Sequence, residues 1–156
     1  SLLPFAYNGI MKTILLPLVW TLVTVIIPLS NRELPLFQLF VLMSLRFIFL
    51  LMITVIFDIR DRHQDDLKKR KTMATMFSNR IIIAMMLVLL IGYGILLIQG
   101  IHSMANPLFL IGLSITGCLA FVVFLLSLWP RGYYFYYLLT DGLMLLSSIV
   151  TYVATI

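Results

Sequence analysis

The sequence predicts an all-α membrane protein, a polytopic bundle of five transmembrane helices. Of its 156 residues, 62% are hydrophobic and only 11% are charged, whereas a soluble domain carries about 25% charged residues. The apolar residues form long runs, and about 20 of them suffice for a helix to cross a hydrocarbon core of about 30 Å. Because lipid offers the backbone no hydrogen-bond partners, each run is expected to be a helix.

Five apolar runs define the predicted spans of a single membrane domain. They cover about residues 13–29, 36–57, 81–101, 108–129 and 133–156. These runs are too long and too uniformly apolar for barrel strands, which alternate over about ten residues. Pro17 lies inside the first run, where it is expected to kink the helix.

The basic residues predict how the bundle is oriented. One side carries nine of them: Lys12, Arg60, Arg62, Lys68, Lys69, Arg70, Lys71, Arg80 and Arg131. The loops of the opposite side contain only Arg32. Since basic loops face the cytoplasm, the N-terminus and the loop 58–80 are predicted inside and the C-terminus outside.

One stretch, 57–72, has the sequence FDIRDRHQDDLKKRKT and gathers four aspartates with seven basic or histidine side chains. The positive-inside rule, by which basic loops face the cytoplasm, explains the basic residues. It does not explain the aspartates, because acidic residues contribute little to topology. If the second helix continues beyond its apolar run, Asp58, Asp61 and Asp65 lie within about 60° of one another. Three carboxylates on one face repel unless a positive charge lies between them.

Two alternatives could supply the positive charge between these carboxylates. Local pairs of Asp61 and Asp65 with Arg62, Lys68 and Lys69 would each contribute a few tenths of a kcal/mol. Alternatively, the carboxylates hold Mg²⁺, which proteins usually bind through one or two carboxylates together with substrate phosphates. Spacing alone favours the local pairs, because a run of charges is usually a solvated helix face.

The stretch resembles the second aspartate-rich motif of the UbiA-type intramembrane prenyltransferases. That motif reads D-x-x-D-x-x-x-D at the cytoplasmic end of a helix, followed by a basic stretch that ends in a Lys-Thr pair. Asp58, Asp61 and Asp65 match its acidic positions, and Lys71 with Thr72 matches its end. This resemblance favours the Mg²⁺ interpretation over the local pairs.

The resemblance also implies a fold and a partner. The family has nine transmembrane helices and two aspartate-rich motifs, and the five runs here resemble the last five helices. The first motif, an Asn-Asp followed by further aspartates, does not occur in these 156 residues. An N-terminal half is therefore an implied partner, and the chain alone is expected to be inactive.

The activity implied by the resemblance is transfer of an isoprenoid from a prenyl diphosphate to a lipophilic acceptor. Mg²⁺ and basic side chains stabilise the charge that develops on the departing diphosphate, and an apolar cavity keeps water away. The implied metal ligands are Asp58, Asp61 and Asp65, of which Asp61 and Asp65 are the implied catalytic residues. The implied diphosphate contacts are Arg60, Lys68 and Lys71.

Two ionisable residues lie inside predicted spans. An arginine at the membrane centre, such as Arg46, costs at least about 2.5–3.5 kcal/mol, so it should face the bundle interior or a wet cavity. Asp141, in LLTDGLMLL, is the second. Both are interpreted as substrate-pocket residues, with a structural ion pair between them as the alternative.

Other functions compete with the prenyltransferase hypothesis. A CDP-alcohol phosphotransferase also uses intramembrane aspartates, but the Asp-Gly at Asp141 lacks the Ala-Arg and the later aspartates of that pattern. A non-catalytic multi-pass protein, a transporter or scaffold piece, would use the basic loop to set topology and to bind anionic membrane lipid. Nothing in the sequence suggests nucleic-acid binding.

Overall fold

The computed structural model describes residues 9–27, 35–67, 72–103, 107–129 and 132–153, and within these ranges the chain is helical without strands. The helices are α1 (Gly9–Thr21), α2 (Leu36–Leu67), α3 (Met73–Met76), α4 (Asn79–Ser103), α5 (Pro107–Ser127), α6 (Tyr133–Tyr136) and α7 (Gly142–Val153). A first π segment, Leu22–Ile26, continues α1, and a second π segment, Tyr137–Asp141, joins α6 to α7. The all-α prediction is confirmed.

Within the described ranges, three helices are long and apolar enough to cross a membrane. Their apolar parts are Leu36–Arg62, Asn79–Ile101 and Leu110–Ser127, and a shorter apolar helix covers Met11–Ile26. These helices suit a membrane-embedded protein. The first and last predicted spans are helical over most of their length, but five membrane crossings stay a prediction.

The centre of the bundle is α2, which packs against α1, α4 and α5, while α7 packs against α5. Its fully buried residues include Leu45, Met52 and Ile53. In contrast, α4 turns a broad apolar face outward, with Val88 and Ile91 more than 60% exposed. A face of this kind costs nothing in lipid, because lipid tails are as apolar as the side chains themselves.

Pro17 lies inside α1, and the helix continues past it. Because proline has no N–H, the carbonyl of Thr13, four residues earlier, loses its helical donor. Thr54 on α2 approaches this carbonyl: its Oγ1 lies 3.4 Å from the oxygen of Thr13, while the same hydroxyl donates to the carbonyl of Leu51 in its own helix at 2.8 Å. This hydroxyl from a neighbouring helix therefore compensates the lost hydrogen bond only in part, through a long contact that it shares with Leu51.

The contact between α4 and α5 includes an aromatic ring that packs on a glycine. Tyr93 is 2% exposed, and its hydroxyl donates to the carbonyl of Leu113 at 2.8 Å. The ring lies directly on Gly117, where an added Cβ would meet Cε1 and would lie 2.9 Å from Cδ1. Only glycine leaves room for the ring at this crossing.

Candidate functional site

The second helix continues well beyond its apolar run, as the motif requires. Residues 58–67, here called the acidic end of α2, are helical, although the sequence assigned them to a loop. The helix places Asp58, Asp61 and Asp65 within about 60° of one another at about 100° per residue. The short helix α3 packs against α2 and also contacts α1.

Asp58 is linked to the first helix. Thr13, which is 3% exposed, donates from Oγ1 to Oδ2 of Asp58 at 2.7 Å. Thr13 thus contacts α2 twice, through its hydroxyl at Asp58 and through its carbonyl at Thr54. This double contact fixes one end of α1 beside the acidic end of α2.

The carboxylate of Asp61 is paired with the guanidinium of Arg60, the residue before it in the sequence. Arg60 donates to its carboxylate from Nε at 2.7 Å and from Nη2 at 3.0 Å. The guanidinium also lies over the ring of Phe57, 4.8 Å from its centroid. The side chain of Asp61 is 42% exposed, so the pair is a surface ion pair whose contribution to stability is about 0–1 kcal/mol.

Asp65 is the least solvated of the three aspartates. It is 8% exposed, and no described residue donates a hydrogen bond or forms an ion pair with it. Its oxygens keep some contact with solvent, because Thr21 Oγ1 is the only fully buried side-chain polar atom without a partner among the described residues. Asp65 is therefore the member of the motif whose oxygens no described side chain occupies, whereas Asp58 and Asp61 both have donors.

The fit of Mg²⁺ to these residues is incomplete. Among the described residues, no three His, Cys, Asp or Glu side chains are grouped closely enough to hold a metal ion. Asp58 and Asp61 accept hydrogen bonds from Thr13 and Arg60 instead. A cation at Asp65 would need diphosphate oxygens or water for most of its ligands, which is how Mg²⁺ is commonly bound.

The structure describes only part of the basic stretch that ends the motif. Lys68 and Lys71, the predicted diphosphate contacts, lie outside the described residues. Thr72 is buried, and its N–H donates to Oγ1 of Thr75 at 2.9 Å. This contact satisfies the N–H of Thr72 at the start of α3.

The two predicted intramembrane residues are not brought together. Arg46 donates from Nε to Oγ1 of Thr24 at 3.4 Å and from Nη1 to Oγ of Ser147. Asp141 is exposed on the second π segment and forms no ion pair with Arg46. The suggested ion pair between them is therefore wrong, because hydroxyls take the place of the carboxylate. Their roles in a substrate pocket stay predictions.

Sequence reasoning missed the hydroxyl partners of these charges. Thr13 lies four residues before Pro17, and this spacing was a signal that its carbonyl would need an outside donor. Thr24 and Ser147 had no such signal, because an isolated hydroxyl in an apolar run usually bonds to its own helix.

No protein-family model, curated protein or solved structure matches the chain. The resemblance to the prenyltransferases therefore depends on the motif residues alone.

Proposed function

We propose that the chain is the membrane-embedded C-terminal part of a UbiA-type prenyltransferase, and that the acidic end of α2 binds Mg²⁺ and the diphosphate of an isoprenoid substrate. The observation that supports this best is Asp65, a buried carboxylate without a described donor, on the helix face that also carries Asp58 and Asp61. A divalent cation would offset the repulsion among the carboxylates on this face.

Each motif residue has a role in this proposal. Asp65 and Asp61 supply carboxylate oxygens, and Asp58 holds the acidic end of α2 against α1 through Thr13. Arg60 exchanges its bond to Asp61 for one to a phosphate oxygen. Breaking the Arg60–Asp61 pair costs little free energy, because the pair lies at the surface. Lys68 and Lys71 act as point charges on the diphosphate. When bound, Mg²⁺ stabilises the negative charge of the departing diphosphate.

The proposed setting is a five-span bundle with this end of α2 at the cytoplasmic surface. The basic residues on that side support the orientation through the positive-inside rule. The isoprenoid chain lies among the apolar helices, where water is excluded from the reacting carbon, and the acceptor is a lipophilic molecule. Arg46 and Asp141 are proposed to line the pocket deeper in the membrane.

Thermal unfolding of the chain in lipid nanodiscs tests the binding step. We expect Mg²⁺ with geranyl diphosphate to raise the unfolding temperature, and Asp65→Asn to abolish the increase. Asp66→Asn is the matched control, because it removes the same charge from the adjacent position, which lies outside the D-x-x-D-x-x-x-D pattern. An unchanged wild-type temperature, or an equal loss in both variants, would contradict the proposal.

A second function, a non-catalytic membrane protein that binds anionic lipid, is favoured by the Arg60–Asp61 pair and by the ungrouped carboxylates. In that case the charges neutralise one another locally, and the basic residues after them face lipid phosphates. Nanodiscs containing phosphatidylglycerol would then stabilise the chain as strongly in Asp65→Asn as in the wild type, with or without Mg²⁺.

A further inference from the structure

Arg46 is a cation in the middle of the longest apolar helix. At about 1.5 Å per residue, it lies about 15 Å from the start of α2 and about 18 Å from Asp58. A hydrocarbon core is about 30 Å thick, so the guanidinium is near the membrane centre if α2 spans it. A charge at this depth needs a specific compensation.

The described neighbours of Arg46 do not supply a negative charge. A guanidinium has five N–H donors, and here Nε and Nη1 donate to the hydroxyls of Thr24 and Ser147. The cation also faces the ring of Phe49 at 5.8 Å. No described residue accepts a hydrogen bond from Nη2, and none forms an ion pair with Arg46. The two hydroxyls orient the guanidinium, but because they are neutral they do not balance its positive charge.

One of the two hydroxyls belongs to an irregular helical segment, and the other lies on a regular helix that follows one. Thr24 lies within the first π segment, and Ser147 lies on α7, six residues beyond the second one. These are the two π segments of the described chain, and π turns within α-helices frequently occur at functional sites. The first π segment packs against α2 and α7 packs against α5, so Arg46 connects two elements that share no extensive contact of their own.

We propose that Arg46, oriented by Thr24 and Ser147, binds the carboxylate of a lipid-soluble monocarboxylic acid that enters from the membrane. One carboxylate balances the one charge of Arg46, and Nη1 with Nη2 offers it a bidentate edge. A diphosphate would bring several excess negative charges to the same depth. The apolar part of the acid lies among the lipid-facing helices. This site does not depend on the Mg²⁺ proposal.

Binding of dodecanoate tests the site without Mg²⁺ or any diphosphate. Unfolding temperatures of the whole chain in neutral-lipid nanodiscs are measured at about pH 8, well above the ordinary pKa of a carboxyl group. We expect dodecanoate to raise the unfolding temperature, whereas its methyl ester, which has the same chain without the charge, leaves it unchanged. Arg46→Met should lose the acid-specific increase, and Arg80→Met, which removes an exposed charge elsewhere, should keep it.

A second variant covers the case in which Arg46→Met does not fold. Arg46→Lys keeps the charge but loses the planar donor pair, and we expect dodecanoate to bind it at least about tenfold more weakly. Equal effects of acid and ester, an unchanged affinity in Arg46→Lys, or an acid-specific increase that persists in Arg46→Met would overturn the proposal. Stronger binding of dodecyl phosphate than of dodecanoate would also overturn it, because it would assign the site to a lipid phosphate.

Discussion

Arg46 and Arg60 lie about four turns apart on α2, and the two guanidinium groups are held in different ways. Arg60 pairs with Asp61, the next residue in the chain, at a partly exposed position. Arg46 instead reaches hydroxyls on two other parts of the bundle, Thr24 and Ser147. The first arrangement needs only the local helix, while the second exists only when the bundle is assembled.

This difference separates the parts of α2 that stabilise the fold from those that are available to a ligand. In the middle of the helix, polar groups connect neighbouring helices, and replacing them should affect stability. At the acidic end, an exposed ion pair contributes little to stability, so its members can exchange partners when a ligand arrives. Substitutions in the two regions should therefore differ in size and in what they change.

A large effect on stability, comparable to that expected at Thr13, is expected at Gly117 in the middle of the bundle. Gly117→Ala introduces a Cβ that meets the ring of Tyr93, whose Cδ1 would be 2.9 Å away. Because an aromatic ring held by its hydroxyl cannot move aside easily, we expect a loss of about 1–3 kcal/mol in the free energy of unfolding. Denaturant unfolding in detergent measures this loss.

The control is Gly94→Ala, on the same helix as Tyr93. A Cβ added there meets no atom within 4 Å, and alanine favours helix over glycine by up to about 1 kcal/mol. We expect unchanged or slightly increased stability. Equal losses at both glycines would show that the crossing of α4 and α5 differs from the one described.

The next effect compares two threonines of α1, both 3% exposed. Thr13→Val removes the donor to the Asp58 carboxylate, and hydrogen bonds to charged groups contribute about 1.5–3 kcal/mol. Thr21 Oγ1 is buried without a partner, so Thr21→Val removes an unsatisfied group at nearly constant shape. We expect Thr13→Val to lower the unfolding temperature and Thr21→Val to leave it unchanged or raise it. The reverse order would contradict the contact between α1 and the acidic end of α2.

The sequence was sufficient for the helices and for the face of α2 that carries the motif. Long apolar runs specify helices through the backbone's need for internal hydrogen bonds, and the i, i+3, i+7 spacing places Asp58, Asp61 and Asp65 on one side. The partners of these residues could not be predicted. Arg60 binding to Asp61, and Arg46 binding to Ser147 instead of Asp141, depend on side-chain directions and helix rotations that no periodicity determines.

A smaller effect is expected where α1 and α2 meet at Pro17. Thr54→Val removes a hydroxyl that is shared between the carbonyls of Leu51 at 2.8 Å and Thr13 at 3.4 Å, and hydrogen bonds between membrane helices average about 0.6 kcal/mol. In a Pro17→Ala background the restored N–H can bond to the carbonyl of Thr13, so the cost of Thr54→Val should fall towards zero. A double-mutant cycle of unfolding free energies measures the coupling. Additive effects would mean that Thr54 does not replace the proline's missing donor.

The smallest effect on stability is expected at the acidic end of α2. A variant there should weaken ligand binding while it leaves the stability of the fold nearly unchanged. Arg60→Gln breaks the exposed pair with Asp61, which should change the unfolding free energy by no more than about 1 kcal/mol. If Arg60 exchanges Asp61 for a phosphate oxygen, the same variant should bind Mg²⁺ with geranyl diphosphate about tenfold more weakly, because a charge-assisted contact is lost. Arg62→Gln, whose guanidinium donates to Asn79, is the matched control and should bind normally. A large loss of stability in Arg60→Gln with unchanged binding would contradict this prediction. It would mean that Arg60, like Arg46, stabilises the fold and does not bind the ligand.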